Sequence, residues 1–315
     1  MKFSNTYIQN VKRSLWNFLL WMMGYYRADR HVMLPTDFQY PLPAGSFNPN
    51  QASAVWIGHS TYLLQFDGIS ILTDPIWSKR CSPLKFIGPK RKQAPAFSLD
   101  TLPKINIVLI SHNHYDHLDR ATVMKLNRDH PGILWIVPKG LKSWFEKRKI
   151  KNVYEIGWHE SLELQNDGRK IEISGVPTQH FSGRTLRDLN KTGWNGYVVK
   201  ITGSPTKTFY FVGDTGYNEY DFKEIGKKFP SIDLSLIPIG AYSPREFMKH
   251  VHVSPEEAVI IHEEVGSKLS LATHWKTFHL SEEPLLQPPF DLHLAMKKKG
   301  LSNFYAVEPG YYVNW

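Results

Sequence analysis

The chain has 315 residues, a formal net charge of +9, 42% hydrophobic and 21% charged residues, 14 histidines and one cysteine. That length and composition suit one large core or two modest ones and exclude a disordered chain. The lone Cys81 excludes an intramolecular disulfide framework and a cysteine-rich zinc site, so a metal would have to rest on histidine and carboxylate, while the positive charge favours anionic partners.

Residues 1–30 read as a helix: Val11, Leu15, Phe18, Leu19 and Met22 share one face, and Trp16, Leu20, Trp21 and Met23 extend the apolar character around it. The apolar part is too short for a comfortable span and Asn17 interrupts it, whereas Lys12, Arg13, Tyr25, Tyr26 and Arg27 suit a segment lying in a membrane interface. A docked core helix is the plainer alternative, and a signal or spanning segment a third. The Pro- and Asn-rich residues 31–53 read as a covering loop, giving an N-terminal segment over 1–50 and one large domain over 51–315.

Ala54–Phe66 and Gly68–Pro75 read as two strands joined by a tight turn at Asp67-Gly68. His59 and Asp74 fall at strand ends, where each could orient a neighbouring ligand or be an ordinary satisfied polar group. The most basic stretch, Lys79-Arg80 through Lys85 to Lys90-Arg91-Lys92, reads either as a solvated loop or as a surface for anions.

The β-branched run Ile105–Ile110 ends in Ser111-His112-Asn113-His114-Tyr115-Asp116-His117-Leu118-Asp119. A buried strand that empties into three histidines and two aspartates is unlike a solvated loop, in which one histidine would carry no message. His112 and His114 can converge from an extended turn, while Asp116 and His117 diverge toward a second point. Two metal ions ~3.5–4 Å apart need such a divided donor set. Asp119 is placed to cap a helix beginning near Ala121.

Strands are expected at Gly132–Pro138, Asn152–Ile156, Ser161–Leu164 and Lys170–Val176, with a helix near Leu141–Lys149 and His180 just past the last strand. Trp194–Ile201 and Thr208–Tyr217 form an expected hairpin containing Asp214 between two glycines, which would let the backbone approach a metal. Asp233–Tyr242 is a buried strand opening toward His250 and His252. Ser254-Pro255-Glu256-Glu257 is a strong helix start, Lys268–His274 repeats the strand-then-histidine pattern, and a helix near Leu292–Lys299 precedes a closing strand. Strand blocks alternating with helices predict a layered α/β fold with its ligands at strand ends.

The order His112-x-His114-x-Asp116-His117, then His180, Asp214 and His274, resembles the metallo-β-lactamase superfamily. More narrowly, Leu72–Ile76, Ile87–Arg91, Gly213–Tyr217, Ile237–Tyr242 and Val253–Val259 resemble the N-acylphosphatidylethanolamine-hydrolysing phospholipase D branch, from about Ala54 to the C-terminus. The resemblance implies a four-layer αββα sandwich with two Zn²⁺, or other divalent transition metals. It places His112, His114 and His180 on one ion, Asp116, His117 and His274 on the other, and Asp214 between them. A hydroxide bridging the ions would attack phosphorus, and no protein nucleophile is required. Asp116 and His252 are the candidate catalytic groups, His252 by contact with phosphate or leaving group. The implied substrate is a phospholipid and the implied setting a cytoplasmic protein peripheral to a membrane, with a homodimer suggested by the resemblance alone. A lactonase of the same fold is the alternative, and a metal-bearing membrane protein without turnover the non-enzyme option. No nucleic-acid partner is expected, since the basic residues form one loop rather than a strand-tracking groove.

Overall fold

The computed structural model describes residues 2–8, 29, 31–43, 47–48, 50–166, 168–185 and 187–315. The apolar face expected of the first helix, Val11 to Met23, lies outside the described residues, and so does its membrane-facing reading.

Fourteen strands form two sheets of seven among the described residues. The first runs, edge to edge, β14 (Tyr312–Asn314), β1 (Ser53–Gly58), β2 (Thr61–Phe66), β3 (Ile69–Thr73), β4 (Ile107–Leu109), β5 (Leu134–Pro138) and β6 (Val153–Ile156). The second runs β13 (Phe304–Tyr305), β12 (Leu269–Thr273), β11 (Leu234–Pro238), β10 (Lys207–Phe211), β9 (Gly196–Ile201), β8 (Arg169–Val176) and β7 (Ser161–Asn166).

Alternation along the strands divides the apolar residues between two cores. Trp56, Tyr62, Leu64 and Leu109 join Ile173, Val199, Phe209 and Leu236 of the second sheet, whereas Val55, Ile57, Leu63 and Val108 face the other way. On that outer face α1 (Arg120–Asp129) and α2 (Lys142–Glu146) supply Val123, Leu126 and Phe145. The second sheet is covered by α3 (Asp221–Lys228), α5 (Pro255–Glu264) and α6 (Gln287–Lys299) through Phe222, Val259 and Leu292, while α4 (Arg245–Met248) is a short turn between. Strands buried on both faces explain why the sequence shows continuous apolar runs, and the four-layer αββα sandwich follows.

Two elements differ from expectation. The single strand expected over Ala54–Phe66 is broken into β1 and β2, because Gly58 adopts φ +141° and His59 φ +56°, reversing the chain. The turn is held by Trp56 Nε1 donating to His59 O at 2.8 Å and His59 N donating to Thr277 Oγ1 at 2.6 Å. The α3 helix was not foreseen, since it contributes only Phe222 and Ile225 to the core, too few to show a period. The Asp67-Gly68 turn is as expected, with φ +53° and +82°, the doubly positive pair of a type I′ hairpin.

Strand direction positions the site. β3, β4 and β5 are mutually parallel, and so are β10, β11 and β12, so the C-terminal ends of β3, β4, β10 and β12 open where Asp74, His112, Asp214 and His274 follow.

Candidate metal centre

The loop after β4 is held at both ends and in the middle. Asp119 caps α1 by accepting from Ala121 N at 3.2 Å, and its carboxylate also accepts from Ser78 N at 3.0 Å and Thr122 Oγ1 at 2.5 Å. Arg184 Nη1 donates to the carbonyls of Asn113 at 2.8 Å and Leu118 at 2.9 Å, with its guanidinium 3.8 Å over the Tyr115 ring. Both bonds leave one guanidinium nitrogen, and the planar group stacks on the Tyr115 ring as a lysine ammonium could not.

All seven expected ligands converge. His112 Nε2 lies 2.8 Å and His180 Nε2 3.3 Å from His114 Nδ1, forming one group. Asp116 Oδ2 lies 3.1 Å from His117 Nε2 and 3.4 Å from His274 Nε2, forming the other. Asp214 Oδ2 stands between them, 3.2 Å from both His117 Nε2 and His274 Nε2 and 3.8 Å from His180 Nε2. His252 Nδ1 is 3.9 Å from the same oxygen and grouped with His180 and Asp214.

For His117, His180 and His112 the opposite ring nitrogen is committed elsewhere, which aims those imidazoles. His117 Nδ1 pairs with Asp74 Oδ2 at 2.6 Å, and His180 Nδ1 donates to Val251 O at 2.9 Å. Ser111 ties the two halves together: its N donates to Asp74 Oδ1 at 2.7 Å, its Oγ to Asp74 Oδ2 at 2.5 Å, and the same Oγ lies 2.9 Å from His112 Nδ1. Such carboxylate–histidine pairs orient a ligand and raise its basicity. Of the two readings left open for Asp74, the geometry matches the orienting one: it pairs with the nitrogen of His117 that points away from Asp116 and Asp214. His59 stands closer than expected, its Nε2 2.9 Å from Asp116 Oδ2, within the group of Asp116, His117 and His274.

Burial lowers the pKa of His112 and His180 well below that of ordinary imidazole, leaving both neutral and able to donate a lone pair. Burial, aided by His274, pushes His59 down to about 3. Burial opposes the charged forms of His117 and His274 too, but the Asp214 and Asp116 carboxylates raise both, His274 to about 9. Burial would likewise raise Asp116 and Asp214, yet their histidine neighbours, His117 foremost, hold both well below the usual carboxylate range. In the bare polypeptide the charged forms of His117 and His274 are thus favoured beside the carboxylates of Asp116 and Asp214, a place where cations fit.

The hydrogen-bond pattern supports that fit. His117 Nε2 and His274 Nε2, which face Asp116 and Asp214, are buried without a hydrogen-bond partner, and so is the second carboxylate oxygen of Asp214, Oδ1. Buried polar atoms ordinarily find partners, and convergent imidazole and carboxylate donors without them suit a divalent transition metal. Gly213, at φ +69°, sets Asp214 in place: a Cβ there would lie 2.8 Å from that of Ser111. The tight approach is thus to the Ser111 side chain and, at 3.1 Å, to the carbonyl of Asn195.

Asn5 was not foreseen. Its Nδ2 donates to His180 O at 2.9 Å and its Oδ1 accepts from His180 N at 3.2 Å, so the N-terminal segment brackets a ligand's backbone. No local signal marks it, because the two residues are 175 positions apart. Arg184 had a signal of sorts, lying four residues past His180, but not one that named its acceptors.

Residues 70–275 match the β-lactamase superfamily domain, and the chain belongs to that family, which makes it a metal-dependent hydrolase on the metallo-β-lactamase fold. Within it, the chain is 41% identical over 268 residues to N-acyl-phosphatidylethanolamine-hydrolyzing phospholipase D 1 of Caenorhabditis elegans, covering 83% of this chain and 74% of that one. A Saccharomyces cerevisiae protein of the same description, mitochondrial, is 36% identical over 79% of this chain, which spans about half (52%) of its length. Among solved structures, a metallo hydrolase from the archaeon Ignicoccus hospitalis superposes with a TM-score of 0.64 at 20% identity, over 84% of this chain and 98% of that one.

Proposed function

We propose that this chain is a zinc-dependent phosphodiesterase of the phospholipase D type, cleaving N-acylphosphatidylethanolamine-like lipids to phosphatidic acid and an N-acylethanolamine. The observation that carries the reading is the divided donor set with Asp214 Oδ2 facing both halves. The activity for which the nematode and yeast relatives are named supplies the substrate class. Two divalent cations, when bound, lower the pKa of a water to near neutrality and polarise the phosphoryl oxygen.

The chain's own groups divide the remaining work. His112, His114 and His180 would hold one cation, Asp116, His117 and His274 the other, and Asp214 both; Asp74 and His59 orient His117 and Asp116. The attacking oxygen joins phosphorus, the bond from phosphorus to the ethanolamine oxygen breaks, and a proton passes to that leaving oxygen. His252, with 12% of its side chain exposed and its Nδ1 3.9 Å from Asp214 Oδ2, would meet the phosphate or the leaving group. No described helix is long and apolar enough to cross a membrane, and the reading places the protein at a lipid surface, with the homodimer part of the same proposal.

Product analysis by mass spectrometry tests this, using zinc-loaded protein on N-acylated and plain phosphatidylethanolamine and on a panel of lactones. Phosphatidic acid with N-acylethanolamine is the expected result. Ring-opened lactones with intact phospholipid would assign the same site to carboxylic esters.

A further inference from the structure

A projection between β3 and β4 takes no part in the site. Arg80 and Lys90 bridge its base as an antiparallel pair, Arg80 Nη1 donates to Gly88 O at 2.5 Å, and Cys81 N donates to Pro89 O at 3.3 Å. Cys81 packs with Ile76 and Phe278, and Arg91 turns inward to donate to Ile76 O at 2.7 Å. The base is therefore anchored. Its tip is not covered: Leu84, Phe86 and Ile87 are 46%, 72% and 58% exposed. Single exposed apolar side chains are ordinary, but three large ones within four residues, on a closed turn, mark a contact surface.

Charge selects the partner. Residues 75–99 contain no aspartate or glutamate, whereas Lys79, Arg80, Lys85, Lys90 and Lys92 flank the tip in sequence, the four lysines exposed. An apolar point ringed by cations complements a bilayer with anionic headgroups, the side chains entering the acyl boundary and the cations meeting phosphates. Nucleic acid fits less well, since Leu84 and Ile87 offer no ring for a base to stack on.

We propose that residues 82–90 dock the protein on an anionic membrane, with Phe86 and Ile87 inserted. The purpose of docking rests on the lipid-phosphodiesterase reading; the docking itself does not require turnover. The base of the projection reaches the metal centre through Phe278, whose ring meets His59 edge-on at 5.2 Å. Docking would thus set the cleft beside the headgroups.

The test is cosedimentation of the full metal-loaded chain with phosphatidylcholine vesicles, with and without phosphatidylserine. Phe86→Ser with Ile87→Ser is expected to weaken binding roughly 30-fold. Lys85→Glu with Lys90→Glu is expected to abolish the preference for phosphatidylserine. Both pairs should keep the wild-type Tm and the rate on a water-soluble phosphodiester; Phe86→Gln alone serves if the serine pair lowers Tm. Unchanged vesicle binding by the variants overturns the proposal, as does Phe86-dependent binding of single-stranded DNA in place of vesicles. Wild-type protein that binds vesicles through Phe86 yet cleaves no phospholipid would sink the proposed reaction and leave the docking intact.

Discussion

Asp214 and Asp74 have different duties despite sharing His117. Asp214 faces both donor groups, so Asp214→Asn keeps the volume and deletes the charge that joins them. Metal analysis is expected to fall from two equivalents to one or fewer, with activity lost; two equivalents retained by the variant would end the bridging role. Asp74 pairs with the far nitrogen of His117 at 2.6 Å and accepts from Ser111 N and Oγ, on the side of His117 away from Asp214. Asp74→Asn should therefore leave the stoichiometry at two and weaken metal affinity by roughly 10- to 100-fold, read by competition with a chelator. His252→Ala separates a third duty. Turnover is expected to drop by roughly 10²–10⁴ with metal content unchanged, and loss of metal instead would place His252 among the ligands.

At the scale of elements, β11 and β12 meet most tightly just beyond their ends. A Cβ on Gly240 would lie 2.0 Å from His274 O, a separation no packing tolerates, so Gly240→Ala must push the His274 backbone away. Destabilisation of roughly 1–3 kcal/mol by thermal or urea unfolding is expected, together with weaker metal binding at the His274 group. The start of α5 provides the control. Ser254 Oγ accepts from Glu257 N at 3.3 Å and Glu257 Oε2 from Ser254 N at 2.9 Å, a complete capping box. Ser254→Ala should cost about 1 kcal/mol of stability and leave metal affinity untouched. Equal effects of the two substitutions on metal binding would show that the contact at Gly240 has no special bearing on the site.

For the whole molecule, the site couples folding to protons and metal. His117 and His274 have raised pKa values, His274 about 9. A raised pKa contributes stability that is fully present at low pH, below the unfolded value, and is lost as pH rises through the folded value. Chelator-treated protein is therefore expected to lose Tm as pH rises through about 9. Metal must displace those protons, so its affinity strengthens with pH and the Tm gap between loaded and metal-free protein should widen in the same direction. Calorimetric scans at a series of pH values check both, and a gap that narrows with rising pH would contradict this proton assignment.

Much of this was legible before any fold was known, because its causes are local. A strand buried on both faces must be apolar throughout, and β4 is followed at once by His112, His114, Asp116 and His117. Asp119 and Ser254 announced their helices by chemistry acting over three residues or fewer. What only the tertiary structure decided depends on how distant segments dock. His59 reaches Asp116 across 57 positions because β1 reverses sharply at Gly58 and His59 instead of running on. Asn5 reaches His180, Arg184 reaches Asn113 and Leu118, and Gly240 meets His274 only once the loops of both sheets share one edge. Residue types and spacing name the donors of this site. Their aim is set by hydrogen bonds between chain segments that no local pattern brings together.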